Sequence, residues 1–124
     1  MTRLNLSPLA KTWIFDLDGT LVVHNGYKNG GDILLPGVKD FFDKIPATDF
    51  ILIVTARDKI VADSTIDFLK SAGIRFNEII FGVPTGERIL INDDKPTGLK
   101  TSVAVNVARD EGLGTVEIFI DENL

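Results

Sequence analysis

Trp13-Ile14-Phe15-Asp16-Leu17-Asp18-Gly19-Thr20-Leu21 is the stretch on which the fold turns. Its apolar head reads as a buried strand, and its tail gives way to two carboxylates, a glycine and a threonine. A strand ending this way sets Asp16 and Asp18 two residues apart, on one face if extended geometry persists through Leu17. Gly19 permits a sharp turn after the pair, and the Thr20 hydroxyl can bond the nearby backbone or an anion. Neighbouring carboxylates repel, and a divalent cation between or beside them relieves that repulsion. Taken alone, the stretch is also readable as an aspartate-rich turn after a strand. Its surroundings decide between the two.

Outward from this stretch, short apolar runs alternate with segments of helical period, the pattern of βαβ units around a mostly parallel sheet. Phe50-Ile51-Leu52-Ile53-Val54 is a continuous apolar run that belongs at the sheet centre. Between the two strands, Pro36 opens a helix carrying Val38, Phe41, Phe42 and Ile45 on one face, and Pro46 stops it. A second helix starts from a cap at Asp58, turns Ile60, Val61, Thr65, Phe68, Leu69 and Ala72 inward, and ends at Gly73. Glu78–Phe81, Arg88–Ile91 and Val103–Val105 are expected as three further short strands, and Val116–Ile120 as an edge strand. The fold class predicted is α/β with about five strands in one central sheet.

The 124 residues suit a single domain, and 44% hydrophobic content can supply its core. No apolar run is long enough to span a bilayer, and Met1-Thr2-Arg3-Leu4 lacks a secretory layout, so a cytoplasmic protein without a membrane partner is expected. Without cysteine there are no disulfides, thiolate nucleophiles or Cys-based zinc sites, and hard-cation chemistry on carboxylates is favoured. Thirteen basic residues are scattered among eighteen acidic ones, leaving a formal charge of −5, which argues against nucleic acid as a partner. It also repels phosphorylated molecules at long range, so phosphate chemistry needs a local cation.

Two further strand ends carry polar groups. Asp93-Asp94 follows the apolar run Ile89-Leu90-Ile91-Asn92, and Thr55 ends Ile53-Val54 ahead of the loop Ala56-Arg57-Asp58. Parallel strands would deliver these to the same sheet edge as Asp16 and Asp18, which is where open α/β sheets place their ligands. Singly, Asp93-Asp94-Lys95-Pro96 is a solvated turn and Thr55 a strand terminator. Together, acids and a hydroxyl from three strand ends match a phosphoryl-transfer constellation.

At this point the chain resembles the haloacid dehalogenase superfamily of phosphatases and phosphotransferases. Phe15-Asp16-Leu17-Asp18-Gly19-Thr20-Leu21 is similar to that family's first motif, Ile53-Val54-Thr55-Ala56-Arg57 to its second, and Ile91-Asn92-Asp93-Asp94-Lys95 to its fourth. The resemblance spans about Trp13 to Val107 and implies a three-layer, Rossmann-like domain. It implies a Mg²⁺-dependent phosphomonoester hydrolase acting on a small phosphorylated metabolite such as a sugar phosphate. Asp16 would take the phosphoryl group, Asp18 would protonate the leaving alcohol and then activate water, and Thr55 would hold the transferred group. Asp93 and Asp94 would join Asp16 and Asp18 around Mg²⁺. Gly19, Thr20, Ala56 and Arg57 fall beside the substrate in the same comparison. A carboxylate nucleophile also makes chemical sense by itself, since an acyl phosphate splits one hard displacement into two easier ones.

The family's third motif carries a lysine or arginine, and Gly82-Val83-Pro84-Thr85-Gly86-Glu87-Arg88 offers only Arg88. Arg88 is thus the candidate catalytic cation, beside Lys95 and Lys59, although an exposed strand arginine is the plain alternative. There is no room for a cap domain. Residues 21–35 supply only a small flap rich in asparagine and glycine, from which His24 and Tyr27 could touch substrate or simply pack. A site so open suits a bulky substrate or closure by a second copy of the chain, that is, a homo-oligomer. Two rivals remain. A receiver-type phosphoacceptor module needs an aspartate at the third strand's end, where Phe81-Gly82 provides none. A catalytically weak or inactive relative, kept for binding or regulation, is the alternative that the absent lysine supports.

Overall fold

The computed structural model describes residues 1–124. Its strands and helices are β1 (Thr2–Leu6), β2 (Thr12–Asp16), α1 (Val38–Asp43), β3 (Phe50–Val54), α2 (Ala62–Ser71), β4 (Glu78–Ile80) and β5 (Val116–Ile120). The strands form two small parallel sheets, one of three strands in the order β2-β3-β4 and one pairing β1 with β5. An open parallel α/β fold is compatible with this arrangement. β2 and β3 run in register from Thr12 opposite Phe50 to Asp16 opposite Val54, and β3 meets β4 from Leu52 opposite Glu78. Parallel neighbours need a crossover, and α1 and α2 supply the two.

The first three-strand unit follows its sequence pattern closely. Val38, Phe41, Phe42 and Ile45 are all buried, as are Ile51 and Ile53 from the central strand. Phe15 packs on Phe42 at 4.5 Å between ring centroids and meets Phe41 edge-on at 6.0 Å, so the first crossover is locked to β2 by aromatic contact. The Asp58 carboxylate accepts from the Ile60 amide and caps a short 3-10 turn, Lys59–Val61, that leads into α2. Thr65 and Leu69 are the buried residues of α2, and Ile60 is exposed, not turned inward.

Beyond β4 the sequence pattern and the structure part. Arg88–Ile91 and Val103–Val105 carry no regular secondary structure, and Ile89, Leu90, Ile91 and Val103 are exposed. Their apolar runs satisfy the strand template, yet a short apolar run does not by itself specify a pairing partner. The strand at Thr2–Leu6 has the converse history. Arg3-Leu4-Asn5-Leu6 alternates polar and apolar over too short a run to be singled out, and it is a strand because β5 pairs with it from Thr2 opposite Val116 to Leu6 opposite Ile120. Val116–Ile120 is therefore a strand as expected, with a partner that local pattern does not announce.

The end of the three-stranded sheet away from Asp16 is held by one buried carboxylate. Asp49 accepts from the Lys11 amide at 3.0 Å and from the Trp13 indole at 2.9 Å, tying the start of β2 to the start of β3. Asp49→Ala leaves both donors without their partner and is expected to lower stability by about 1–3 kcal/mol. Urea unfolding followed by Trp13 fluorescence measures this directly.

Candidate functional site

β2 ends at Asp16, and the chain turns back on itself immediately afterwards. The Leu21 and Val22 amides both donate to the Leu17 carbonyl, at 2.9 and 3.2 Å, and Gly19 takes φ +82°, a left-handed conformation that favours glycine. Leu17, Leu21 and Val22 are fully buried, so the turn is anchored from below while Asp16 and Asp18 stay partly open. Asp16 accepts from the Thr20 hydroxyl at 3.1 Å on one oxygen and from Arg88 at 2.9 Å on the other. This is the one contact that brings the glycine-rich stretch after β4 to the carboxylate pair. Both partners are about two-fifths exposed, which makes the ion pair a weak one.

Asp18 is held differently. Arg57, almost wholly buried, donates from Nε and Nη2 to its two oxygens at 3.0 and 2.8 Å. The same guanidinium donates to both oxygens of Asp32 at 3.0 and 2.7 Å and to the Thr65 hydroxyl at 3.0 Å. All five N–H groups of the arginine are thus engaged, and the Tyr27 ring lies against it at 4.0 Å. Burial works against the cation, but the hydrogen bonds and charges of Asp32 and Asp18 outweigh it and raise the pKa above the ordinary arginine range. Arg57 is charged at any pH at which the protein folds. Its five bonds join the end of β2, the flap and α2.

Thr55 is buried just after β3, and its hydroxyl accepts from the Arg57 amide at 3.1 Å. Ala56 is exposed on the loop beside it. His24 is half-buried at the flap base, where its amide donates to the Asp110 carboxylate at 2.8 Å, and Asp110 in turn donates its amide to the Gly19 carbonyl at 2.9 Å. The structure therefore gathers Asp16, Asp18, Gly19, Thr20, Arg57 and Arg88 in one linked group, with Thr55 and His24 on its edges.

Asp93, Asp94 and Lys95 are not in that group. They sit on an exposed loop that closes on itself: Asn92 donates to the Thr101 carbonyl and hydroxyl, the Thr101 hydroxyl donates to the Asp93 carbonyl, and Asp94 pairs with Lys100 at 3.0 Å. No three Asp, Glu, His or Cys side chains come close enough together to hold a metal ion. Mg²⁺ takes near-octahedral oxygen ligands, and the oxygens of Asp16 and Asp18 are already bonded to arginine and hydroxyl groups, so this arrangement of the four aspartates does not present such a set.

Two participants escape sequence reasoning. Asp32 sits in a loop whose composition advertises only turns, and Thr65 reads as an ordinary inward residue of α2. Only the buried guanidinium between them gives either a role. No protein-family model, no curated protein and no solved structure matches the chain.

Removing Arg57 abandons two carboxylates against each other. Arg57→Ala is expected to cost about 3–5 kcal/mol of stability, whereas Arg88→Gln, which breaks an exposed pair, costs less than about 1 kcal/mol. Chemical denaturation of the two variants beside the wild-type protein checks the contrast.

Proposed function

We propose that this chain is a phosphomonoester hydrolase of the haloacid dehalogenase type, with Asp16 as the nucleophile. The observation that carries the reading is the cluster at the end of β2, where a partly open carboxylate is flanked by a hydroxyl and an arginine beside a second, firmly oriented carboxylate. An Asp16 oxygen would attack phosphorus and displace the alcohol, which takes a proton from Asp18. Water would then attack the aspartyl phosphate, giving its proton to Asp18 and releasing inorganic phosphate. Arg88 lies where it would lower the repulsion between nucleophile and phosphate, the task that falls to a lysine in the family's third motif. Thr20 and Thr55 would steady the phosphoryl oxygens. A small phosphorylated metabolite such as a sugar phosphate is the substrate class that the resemblance favours.

The Mg²⁺ that the resemblance implies belongs to the same proposal, and Asp16 and Asp18 would have to exchange their bonds to Arg88 and Arg57 for the ion in order to hold it. So does the finer fold, a three-layer domain with one sheet of about five strands. Two observations support that extension: β2 has an unpaired edge, with Ile14 half exposed, and the apolar segments Ile89–Ile91 and Val103–Val105 are largely uncovered. Strands added there would carry Asp93 and Asp94 toward the carboxyl end of the sheet.

A second reading has an observation of its own. Asp18 has both oxygens on Arg57, and no third acidic group joins the pair, which is the arrangement expected of a weakly active or inactive relative kept for binding or regulation. Hydrolysis of an aryl phosphate by the purified protein, with Mg²⁺ and with a chelator, decides between them. The enzyme reading requires metal-dependent turnover that Asp16→Asn reduces at least about a thousandfold, as loss of a covalent nucleophile does. No turnover above the Asp16→Asn background leaves the binding role.

A further inference from the structure

Four of the five arginines are engaged by the protein itself. Arg3 bonds Asn5 and lies on Phe119, Arg57 is fully bonded, Arg75 donates to the Asp49 and Pro46 carbonyls, and Arg88 holds Asp16. Arg109 alone is exposed with neither a hydrogen bond nor an ion pair. An unpartnered surface arginine is ordinarily a solvated one. This one touches the candidate site. Its side-chain stem lies on Gly19, where a Cβ would stand 3.3 Å from Arg109 Cγ and 3.8 Å from its Nε.

The backbone beside it is held by the next residue. Asp110 adopts φ +63°, a left-handed conformation uncommon for a residue with a side chain, and two long-range hydrogen bonds hold it there. Its amide reaches the Gly19 carbonyl at 2.9 Å, and its carboxylate receives the His24 amide at 2.8 Å. One oxygen of the nearest acid in sequence is thereby engaged elsewhere, and Arg109 itself forms no hydrogen bond or ion pair. Its side chain lies on Gly19, the residue after Asp18, in a protein whose net charge of −5 otherwise repels anions.

We propose that Arg109 is a specificity-determining residue that binds a second anionic group, a carboxylate or a phosphate, on the leaving-group part of the phosphate ester. The inference rests on the hydrolase reading above, in which Asp18 serves the leaving alcohol. Arg88, on Asp16, would accompany the transferred phosphoryl group, and Arg109, whose side chain lies on the residue after Asp18, would meet the portion that departs. A guanidinium fork meets such a group in bidentate fashion, which a solvated lysine would not reproduce.

The test compares 3-phosphoglycerate with glycerol 1-phosphate, which share a three-carbon phosphate ester and differ in the carboxylate. Wild-type protein is expected to favour the carboxylated ester at least about tenfold, both in kcat/KM and in affinity measured by calorimetry. Arg109→Gln, which keeps the stem and removes the charge, is expected to bring that ratio near one, with the loss in KM, and Arg109→Lys to restore only part of it. Circular dichroism and thermal unfolding verify that the variants are folded. Equal binding of the two esters by wild-type protein, or a preference that survives Arg109→Gln, overturns the assignment. Hydrolysis of neither ester counts against the hydrolase reading, while the calorimetric ratio still decides the role of Arg109.

Discussion

A single buried guanidinium organises the candidate site. Arg57 distributes five donors among Asp18, Asp32 and Thr65, so one side chain joins the end of β2, the flap and the second crossover helix. A lysine could not substitute, because three donors radiating from one nitrogen cannot span two carboxylates and a hydroxyl in one plane. Two carboxylates around one cation leave the cluster with one excess negative charge. Arg88 offsets the neighbouring Asp16 and not this pair, so the excess of one negative charge persists across the whole group. The buried part of the cluster supplies rigidity, and its exposed part leaves a group that can exchange partners.

The sheet divides into two ends of different character. At the amino end Asp49 takes two donors and Arg75 bonds its carbonyl, so strands β2 and β3 are fastened where no ligand is expected. At the carboxyl end the same strands finish in acids, a buried threonine and turns. Polar groups thus serve fixation alone at the amino end, whereas at the carboxyl end buried fixation by Arg57 and Thr55 leaves Asp16 and Arg88 partly accessible.

Sequence made some of this legible and hid the rest, for physical reasons. The helices and strands between Trp13 and Ile80 are set by local periodicity, by Pro36, by the Asp58 cap and by Gly73, all signals within a turn or two of the residues they control. The carboxylate pair and its threonine were visible because their spacing is local too. Asp32 was not, since its partner lies 25 residues away and nothing in a glycine-rich flap distinguishes a structural acid from a solvated one. Arg88–Ile91 shows the reverse failure: an apolar run with strand composition stays irregular when no neighbour pairs with it. Strand propensity describes a surface that fits a sheet, and the sheet must still be there.

The pairing of β1 with β5 joins residues more than a hundred positions apart, Thr2 with Val116 and Leu6 with Ile120. During synthesis β1 emerges before β5 and stays without this partner until the residues between them have been made. Closing so long a loop costs entropy that only a preformed middle can offset. The two-stranded sheet is thus the long-range closure of the fold, and because Val116 and Ile118 of β5 pack on the same hydrophobic cluster as the β2-β3-β4 unit, its opening would also uncover that core.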